Sequence, residues 1–486
     1  MAADGIATVE LHRACAIIDG EPVLLDRTID VLDPATGEVC ATIPRGGESE
    51  IDAAVAAARR AFEREWRATT PAQRGALMRA LSSLITEHSD ELARLESLDT
   101  GKPLSQACVD VGVAARYFAF YASIVEGLEG STIAAASGAH VFTRREPFGV
   151  TAHIIPWNYP IQVTGRTAAP SLAAGNCCVV KPAEEASLTS LRVGELALEA
   201  GFPAGVFNVV SGLGEEAGAA LSAHPGINYL SFTGSREVGT LVAQAAAVNV
   251  VPVALELGGK SPNIVFADAD VEAAVPTIVN SIIQNAGQTC VAGSRLLVHE
   301  SRHDEVLEAV TRRFEGLRLG RGLDDPDLGP LISGRQRDRV AEMVRDGAGG
   351  AQLVCGGHPA QVEGLDGGFF FEATLFDGAS PTDRVSAEEV FGPVVVASSF
   401  STDEEALARS NDTDYGLLAA VWTRDIGRGH RMAADLEVGQ VFVNSYGAGG
   451  GVELPFGGYN RSGYGREKGY EALLEYCQIK SVVVKY

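Results

Sequence analysis

Three side chains of complementary chemistry stand far apart in the chain. They are Asn158 in Pro156-Trp-Asn-Tyr-Pro160, Glu256 in Leu255-Glu-Leu-Gly-Gly-Lys-Ser-Pro262, and Cys290 in Gln288-Thr-Cys-Val-Ala-Gly-Ser-Arg295. A thiolate is the strongest nucleophile among ordinary side chains and needs only modest activation at neutral pH. The small neighbours of Cys290 and its glycine-rich exit would leave the sulfur open to a cleft. A side-chain amide can donate to the negative oxygen that forms when a carbonyl is attacked. A carboxylate can take a proton from water. Free cysteines also serve as inert core residues, so Cys290 by itself leaves both readings open.

From residue 150 the pattern alternates between short apolar strands and helical stretches. Strands are expected at 151–155, 177–180, 206–210, 228–232 and 251–255. This pattern predicts a parallel, doubly wound sheet, whose ligand lies beyond the carboxyl ends of its strands. Asn158, Lys181, Glu184, Gly234 and Glu256 all fall at such ends. Gly258-Gly259 reads as a linker or hinge. A second α/β segment begins near Ser261-Pro262 and runs to about 466.

Upstream, residues 15–45 read as short strands with a turn at Pro34-Ala-Thr-Gly37. Ile51, Ala54, Val55, Ala58 and Phe62 share one helical face. Thr70-Pro-Ala-Gln73 is a capping box with proline at the first helical position. The helix after Pro103 carries Tyr117, Phe118 and Tyr121, an aromatic stripe that reads as core or as part of a substrate tunnel. The tail from Tyr476 to Tyr486 is β-rich and must pair or remain an edge.

With 486 residues the chain can form two or three domains with sizeable cores. A formal net charge of −24 disfavours nucleic acid and anionic membrane as partners, since both would be repelled. No basic-then-apolar leader precedes the first strands, and the nearest approach to a membrane span, Leu241 to Leu255, is short and interrupted. None of the eight cysteines forms a C-x-x-C pair, which argues against a zinc or disulfide framework and for a reducing cytoplasm. Adjacent Cys177 and Cys178 would point to opposite faces of a strand.

Gly234-Ser-Arg-Glu-Val-Gly239 joins a strand to a helix and reads equally as a plain turn or as a pyrophosphate loop. It is neither a Walker A loop nor a G-x-G-x-x-G fingerprint.

Taken together, the segments carrying Asn158, Glu256 and Cys290 resemble the NAD(P)-dependent aldehyde dehydrogenases, and the likeness runs over nearly the whole chain. The resemblance implies an α/β fold with a Rossmann-like cofactor domain (1–126 and 147–256). A second α/β catalytic domain (257–469) and a small β oligomerisation arm (127–146 and 470–486) complete it. It implies Cys290 as nucleophile, Asn158 as oxyanion donor and Glu256 as the base that hydrolyses a thioester. For the cofactor it implies Ile155, Pro156, Trp157, Lys181, Glu184, Gly214, Phe232, Gly234, Ser235, Val238, Leu257, Glu389 and Phe391. The carboxylate of Glu184 at the adenosine ribose favours NAD over NADP.

For the substrate the resemblance implies Tyr159, Gln162, Val163, Arg166, Thr289 and Val291, with a far wall from Gly447 to Phe456. Betaine aldehyde enzymes usually carry tryptophan at the Phe456 position, which argues against a quaternary ammonium substrate. An aromatic aldehyde or a semialdehyde is expected instead, with Arg166 either meeting a substrate carboxylate or lying on the surface. A homodimer or homotetramer is implied. The coenzyme A-acylating branch typically lacks the glutamate present here as Glu256. A cysteine hydrolase would favour a histidine beside the nucleophile, and none falls in these segments. A non-catalytic protein on the same fold would be expected to have lost the reactive residues.

Overall fold

The computed structural model describes residues 14–135, 137–447 and 451–486. Its first sheet has five central parallel strands: Val150–Ile155, Cys177–Pro182, Phe207–Val209, Tyr229–Thr233 and Val253–Glu256. Across the sheet these lie in the order fifth, fourth, first, second, third, so the order reverses between Tyr229–Thr233 and Val150–Ile155. Such a reversal opens a crevice at the carboxyl ends of the strands. The strands are where the apolar runs predicted them, each within two residues. Cys177 and Cys178 are both fully buried because helices cover both faces of a parallel sheet.

The second sheet places Gln352–Cys355, Thr374–Asp377, Val394–Phe400, Arg295–His299, Pro262–Val265, Leu418–Trp422 and Gln440–Val443 side by side. All but Gln352–Cys355 are parallel to their neighbours. Glu256 ends the last parallel strand of the first sheet and Pro262 begins a strand of the second. The carboxyl end of one sheet therefore faces the amino end of the other, and Asn158, Glu256 and Cys290 lie between them.

Gly258 and Gly259 make this crossing, and they are not a loose linker. Both are buried. A Cβ on Gly258 would lie 2.1 Å from Glu389 Oε2, and one on Gly259 2.4 Å from the Cys290 carbonyl. Glycine is required here for close approach rather than for flexibility.

The helix Glu48–Arg64 buries all five apolar residues of its predicted face. Thr70 Oγ1 accepts from Gln73 N–H at 3.3 Å, and the Gln73 side chain accepts from Thr70 N–H at 2.8 Å. Among the described residues the helix long and apolar enough to cross a membrane is the one beginning at Leu104, not the stretch Leu241–Leu255. It is more than half buried, with Tyr117, Phe118 and Tyr121 fully inside the core, and it packs on the helices Pro71–Glu87 and Pro160–Ala174. The aromatic stripe is core.

The tail strand Cys477–Lys485 pairs antiparallel with Ala139–Pro147 over nine residues, joined by the short strand Thr132–Ile133. Ile479, Val483 and Val484 remain exposed on it.

Candidate active site

The helix Val271–Ile283 ends just before the loop that carries Cys290. Asn285 (φ 48°), Ala286 (φ 53°) and Gly287 (φ 73°) then turn left-handed in succession. For two non-glycine residues this conformation costs about 1–2 kcal/mol each. Gln288 offsets the cost by bracing the loop: its Nε2 donates to Asn285 O at 3.0 Å and its Oε1 accepts from Ile332 N–H at 2.9 Å. Gln288 and Thr289 are buried, while Cys290 keeps partial exposure. Burial pushes the Cys290 thiol up to about 12; Glu389 and Glu256 add to the rise, and Arg166 and Lys468 oppose it. The resting sulfur is a thiol.

Asn158 sits between the strand Val150–Ile155 and the helix Pro160–Ala174 and is 6% exposed. Its Nδ2 donates to the Gln288 carbonyl at 2.9 Å, which uses one of its two hydrogens. Its own carbonyl accepts from Asn285 Nδ2 at 2.8 Å and from Lys102 Nζ at 3.0 Å. Lys102 is fully buried with Glu96 and Asp110, at 3.1 and 2.5 Å. Burial pulls its ammonium down, but the two carboxylates more than offset this and hold it above the ordinary range. Asp110 Oδ1 also accepts from Gln162 Nε2 at 2.7 Å. The ammonium lies 4.4 Å from the Tyr159 ring centroid.

Glu256 is 2% exposed, and neither of its carboxylate oxygens has a hydrogen-bond partner among the described residues. Burial, then the nearby Glu467, pushes its carboxyl well above the usual carboxylate range. Lys260 does not pair with it: the Lys260 ammonium donates to the Val385 and Glu388 carbonyls at 2.6 and 2.7 Å. An unpaired buried acid at a strand end is suited to proton transfer rather than to holding structure together.

A cavity of about 210 Å³ opens beside the sulfur, lined by Tyr159, Gln162, Arg166, Thr289, Cys290, Val291, Phe456 and Lys468, with Tyr446 and Gly447. Val163 is buried in the core, outside this lining. Of the expected far wall, Ala448, Gly449 and Gly450 lie outside the described residues. Arg166 is no surface arginine: it is 7% exposed. Its Nε lies 2.5 Å from Glu467 Oε2 and its Nη2 donates to Thr233 Oγ1 at 3.1 Å. The other Glu467 oxygen accepts from Ser231 Oγ at 2.9 Å. The motifs had pointed to neither Lys102, Gln288, Glu467 nor Lys468. The signals available were Lys102 set between Gly101 and Pro103, and the charged triplet Arg466-Glu-Lys468 after a glycine-rich run.

The residues expected to hold a dinucleotide gather along the crevice. Lys181 and Glu184 pair at 3.1 Å, and Glu184 Oε1 accepts from Gly214 N–H at 3.4 Å. Burial raises the Glu184 carboxyl, but Lys181 and its hydrogen bonds bring it below the ordinary value, so it is ionised. A Cβ on Gly214 or Gly218 would meet nothing nearer than 4.0 Å, so the space beside this pair is open. Ser235 caps the helix Arg236–Val248 by accepting from Val238 N–H at 3.3 Å, and Val238 is exposed on its first turn. Phe232 and Leu257 pack against Gly234 and Gly239, where a Cβ would come within 2.7 Å of one or the other.

Ile155 is buried beneath the crevice, and Pro156 leads to Trp157, whose ring meets that of Phe391 edge-on at 5.2 Å. Phe391 adopts φ 57° and its carbonyl accepts from Gln336 Nε2 at 2.7 Å. Glu389 Oε1 accepts from Gly259 N–H at 3.1 Å, and burial raises its carboxyl to about 7. An ionised carboxylate, the amino terminus of the helix Arg236–Val248 and the Trp157–Phe391 pair along one crevice fit an elongated dinucleotide.

Two outcomes follow. Replacing Lys102 by methionine leaves Glu96 and Asp110 buried without their cation, which should cost about 3–5 kcal/mol. Chemical denaturation would show it, and an unchanged midpoint would refute the role of this triad. With its thiol raised to about 12, Cys290 in the free protein should react with iodoacetamide about tenfold faster per pH unit between pH 7 and about pH 10. Mass spectrometry of the Cys290 peptide measures this, and a rate flat across that range would mean a preformed thiolate.

A family model for the aldehyde dehydrogenase family matches residues 24–482. A hydroxyisobutyraldehyde dehydrogenase of Mycolicibacterium austroafricanum is 44% identical over 469 residues, 96% of this chain and 92% of that protein. The NAD+ complex of an aldehyde dehydrogenase from Bacillus cereus superposes with a TM-score of 0.95 at 40% identity, covering 98% of this chain and 97% of that one. A betaine aldehyde dehydrogenase from Staphylococcus aureus, also in complex with NAD+, gives 0.96 at 39% identity, covering 100% of this chain and 97% of that one. With a site of this construction and likeness along its whole length, the chain belongs to the aldehyde dehydrogenase family.

Proposed function

We propose that the protein oxidises an aldehyde to the free carboxylic acid with NAD, through a covalent adduct on Cys290. The observation that carries this reading is that a partly exposed thiol opening on the cavity, a side-chain amide bonded to the Gln288 carbonyl two residues before it, and an unpaired buried carboxyl close enough to act on that thiol meet where the two sheets adjoin. Attack by the Cys290 sulfur on the aldehyde carbon gives a thiohemiacetal. The second Nδ2 hydrogen of Asn158, with the backbone N–H of Cys290, stabilises its oxygen. The cations of Arg166 and Lys468 favour loss of the thiol proton. NAD, when bound, supplies the hydride acceptor that no side chain can provide. Glu256 then takes a proton from the water that cleaves the Cys290 thioester.

Burial suits Glu256 to this task, because a carboxyl raised above the ordinary carboxylate range is a stronger base toward water than an exposed one. The same residue argues against transfer of the acyl group to coenzyme A. The ionised Glu184 favours NAD, since it would accept from ribose hydroxyls and repel a 2′-phosphate. Residues 1–126 with 147–256 form the cofactor domain, 257–469 the catalytic domain, and 127–146 with 470–486 the arm of a homodimer or homotetramer. Eight cysteines without a C-x-x-C pair suit a cytoplasmic setting.

Purified protein should form NADH from aldehydes, at a rate unchanged by coenzyme A. Glu256→Gln should give a single burst of NADH and then stall, with acylated Cys290 visible by mass spectrometry; full steady turnover would remove Glu256 from the hydrolysis step. Asn158→Ala should lower kcat by about 10²–10³-fold. A fall confined to KM would instead make Asn158 a binding residue.

A further inference from the structure

We infer that the substrate carries a second, anionic group remote from its aldehyde, a carboxylate, and that Lys468 is the residue that binds it. This deepens the aldehyde oxidation proposed above and rests on it.

The cavity beside Cys290 has two cations and one carboxylate in its wall: Arg166, Lys468 and Asp110. Asp110 is committed to Lys102 and Gln162, at 2.5 and 2.7 Å. Arg166 is committed to Glu467 at 2.5 Å, and the remaining oxygen of Glu467 is taken by Ser231. Arg166, for which a substrate carboxylate is one of two expected surroundings, is thus already neutralised by the protein.

Lys468 is not. It is 9% exposed, and among the described residues no carboxylate lies within ion-pair distance of its ammonium and no acceptor is hydrogen-bonded to it. Its described contact is with the face of Phe456, whose centroid is 4.9 Å from Nζ. Arg166 lies 5.2 Å from the same ring and adds repulsion. Lysine is almost never fully buried unless paired. Burial, then Arg166, pulls its ammonium down to about 8 against the opposing pull of Cys290, Glu467 and Glu256, none of them within ion-pair distance, so most of it is still charged at neutral pH.

The backbone holds Lys468 where it is. Its φ of 63° is left-handed, a conformation rarely adopted by a residue with a long side chain. Such outliers persist where the surroundings over-determine them. Here the Phe456 and Glu467 backbones exchange hydrogen bonds at 2.6 and 2.7 Å, and Gly469 N–H donates to Val452 O at 2.8 Å. The side chain is thereby aimed into the cavity, where a carboxylate at the far end of a bound aldehyde would complete the missing pair. A quaternary ammonium group would be repelled at the same place.

The test compares 4-oxobutanoate with butanal, which differ in the remote carboxylate. Wild-type protein should favour 4-oxobutanoate in kcat/KM. Lys468→Met should reduce that preference about 10- to 100-fold, the worth of a hydrogen bond to a charged group; any effect on the Cys290 thiol is common to both substrates and cancels in the ratio, and Lys468→Arg should restore part of it. A preference that survives in Lys468→Met, or a wild type that favours butanal, overturns the inference. Calorimetric titration with glutarate and pentanoate separates this from failure of the reaction itself. Tighter binding of glutarate that is lost in Lys468→Met supports the lysine's role even if no aldehyde is oxidised, and equal binding of the two acids overturns it.

Discussion

A lysine ammonium sealed from water holds the front of this site together. Lys102 contributes a charge that would be very costly to bury alone, and two carboxylates and the Asn158 carbonyl share it. Through that backbone carbonyl the network fixes the exit of the strand Val150–Ile155, and through Asn285 and Gln288 the same residue is tied to the Cys290 loop. The amide donor and the sulfur are consequently placed by one continuous set of hydrogen bonds rather than by two independent loops. Such a network tolerates little partial loss, because each buried member depends on the others for its compensation.

The second constraint is steric. Three left-handed residues in succession turn the chain out of the helix before Cys290, and a Cβ on Gly287 would lie 2.1 Å from the Gly392 carbonyl. Gly258 and Gly259 let the crossing strand press against Glu389 and against the Cys290 backbone. Close approach of this kind brings the carboxyl end of one sheet to the amino end of the other with little free volume between them. Asn285, Ala286, Phe391 and Lys468 are four of the nine non-glycine residues with positive φ among the described residues, and these four border the site. Strain of this kind collects at sites whose geometry matters more than their stability.

Electrostatics divides the side chains of the cavity into spent and unspent charges. Arg166 and Asp110 have partners supplied by the fold, and they lend rigidity. Glu256 and Lys468 have no hydrogen-bond partner among the described residues, and burial raises the carboxyl of the one and lowers the ammonium of the other. Unspent groups are those with something left to offer to a substrate or to water.

Much of this was legible from residue types in order. Apolar runs bounded by glycine and proline located five parallel strands, because a strand buried on both faces must be apolar throughout. Capping chemistry located the helix beginning at Pro71, and the motifs around Asn158, Glu256 and Cys290 named the family and the residues proposed to react. What only the tertiary structure decided was which charges are spent. Arg166 and Lys468 are both cations in the sequence; one meets Glu467 and Thr233 while the other faces the cavity, and this depends on elements more than 200 residues apart folding together. Likewise Gly258-Gly259 reads as a hinge until the Cys290 loop and Glu389 are packed against it. Local pattern determines which elements form and which chemistry they carry; burial and partnership are properties of long-range contact, and no stretch of sequence contains them.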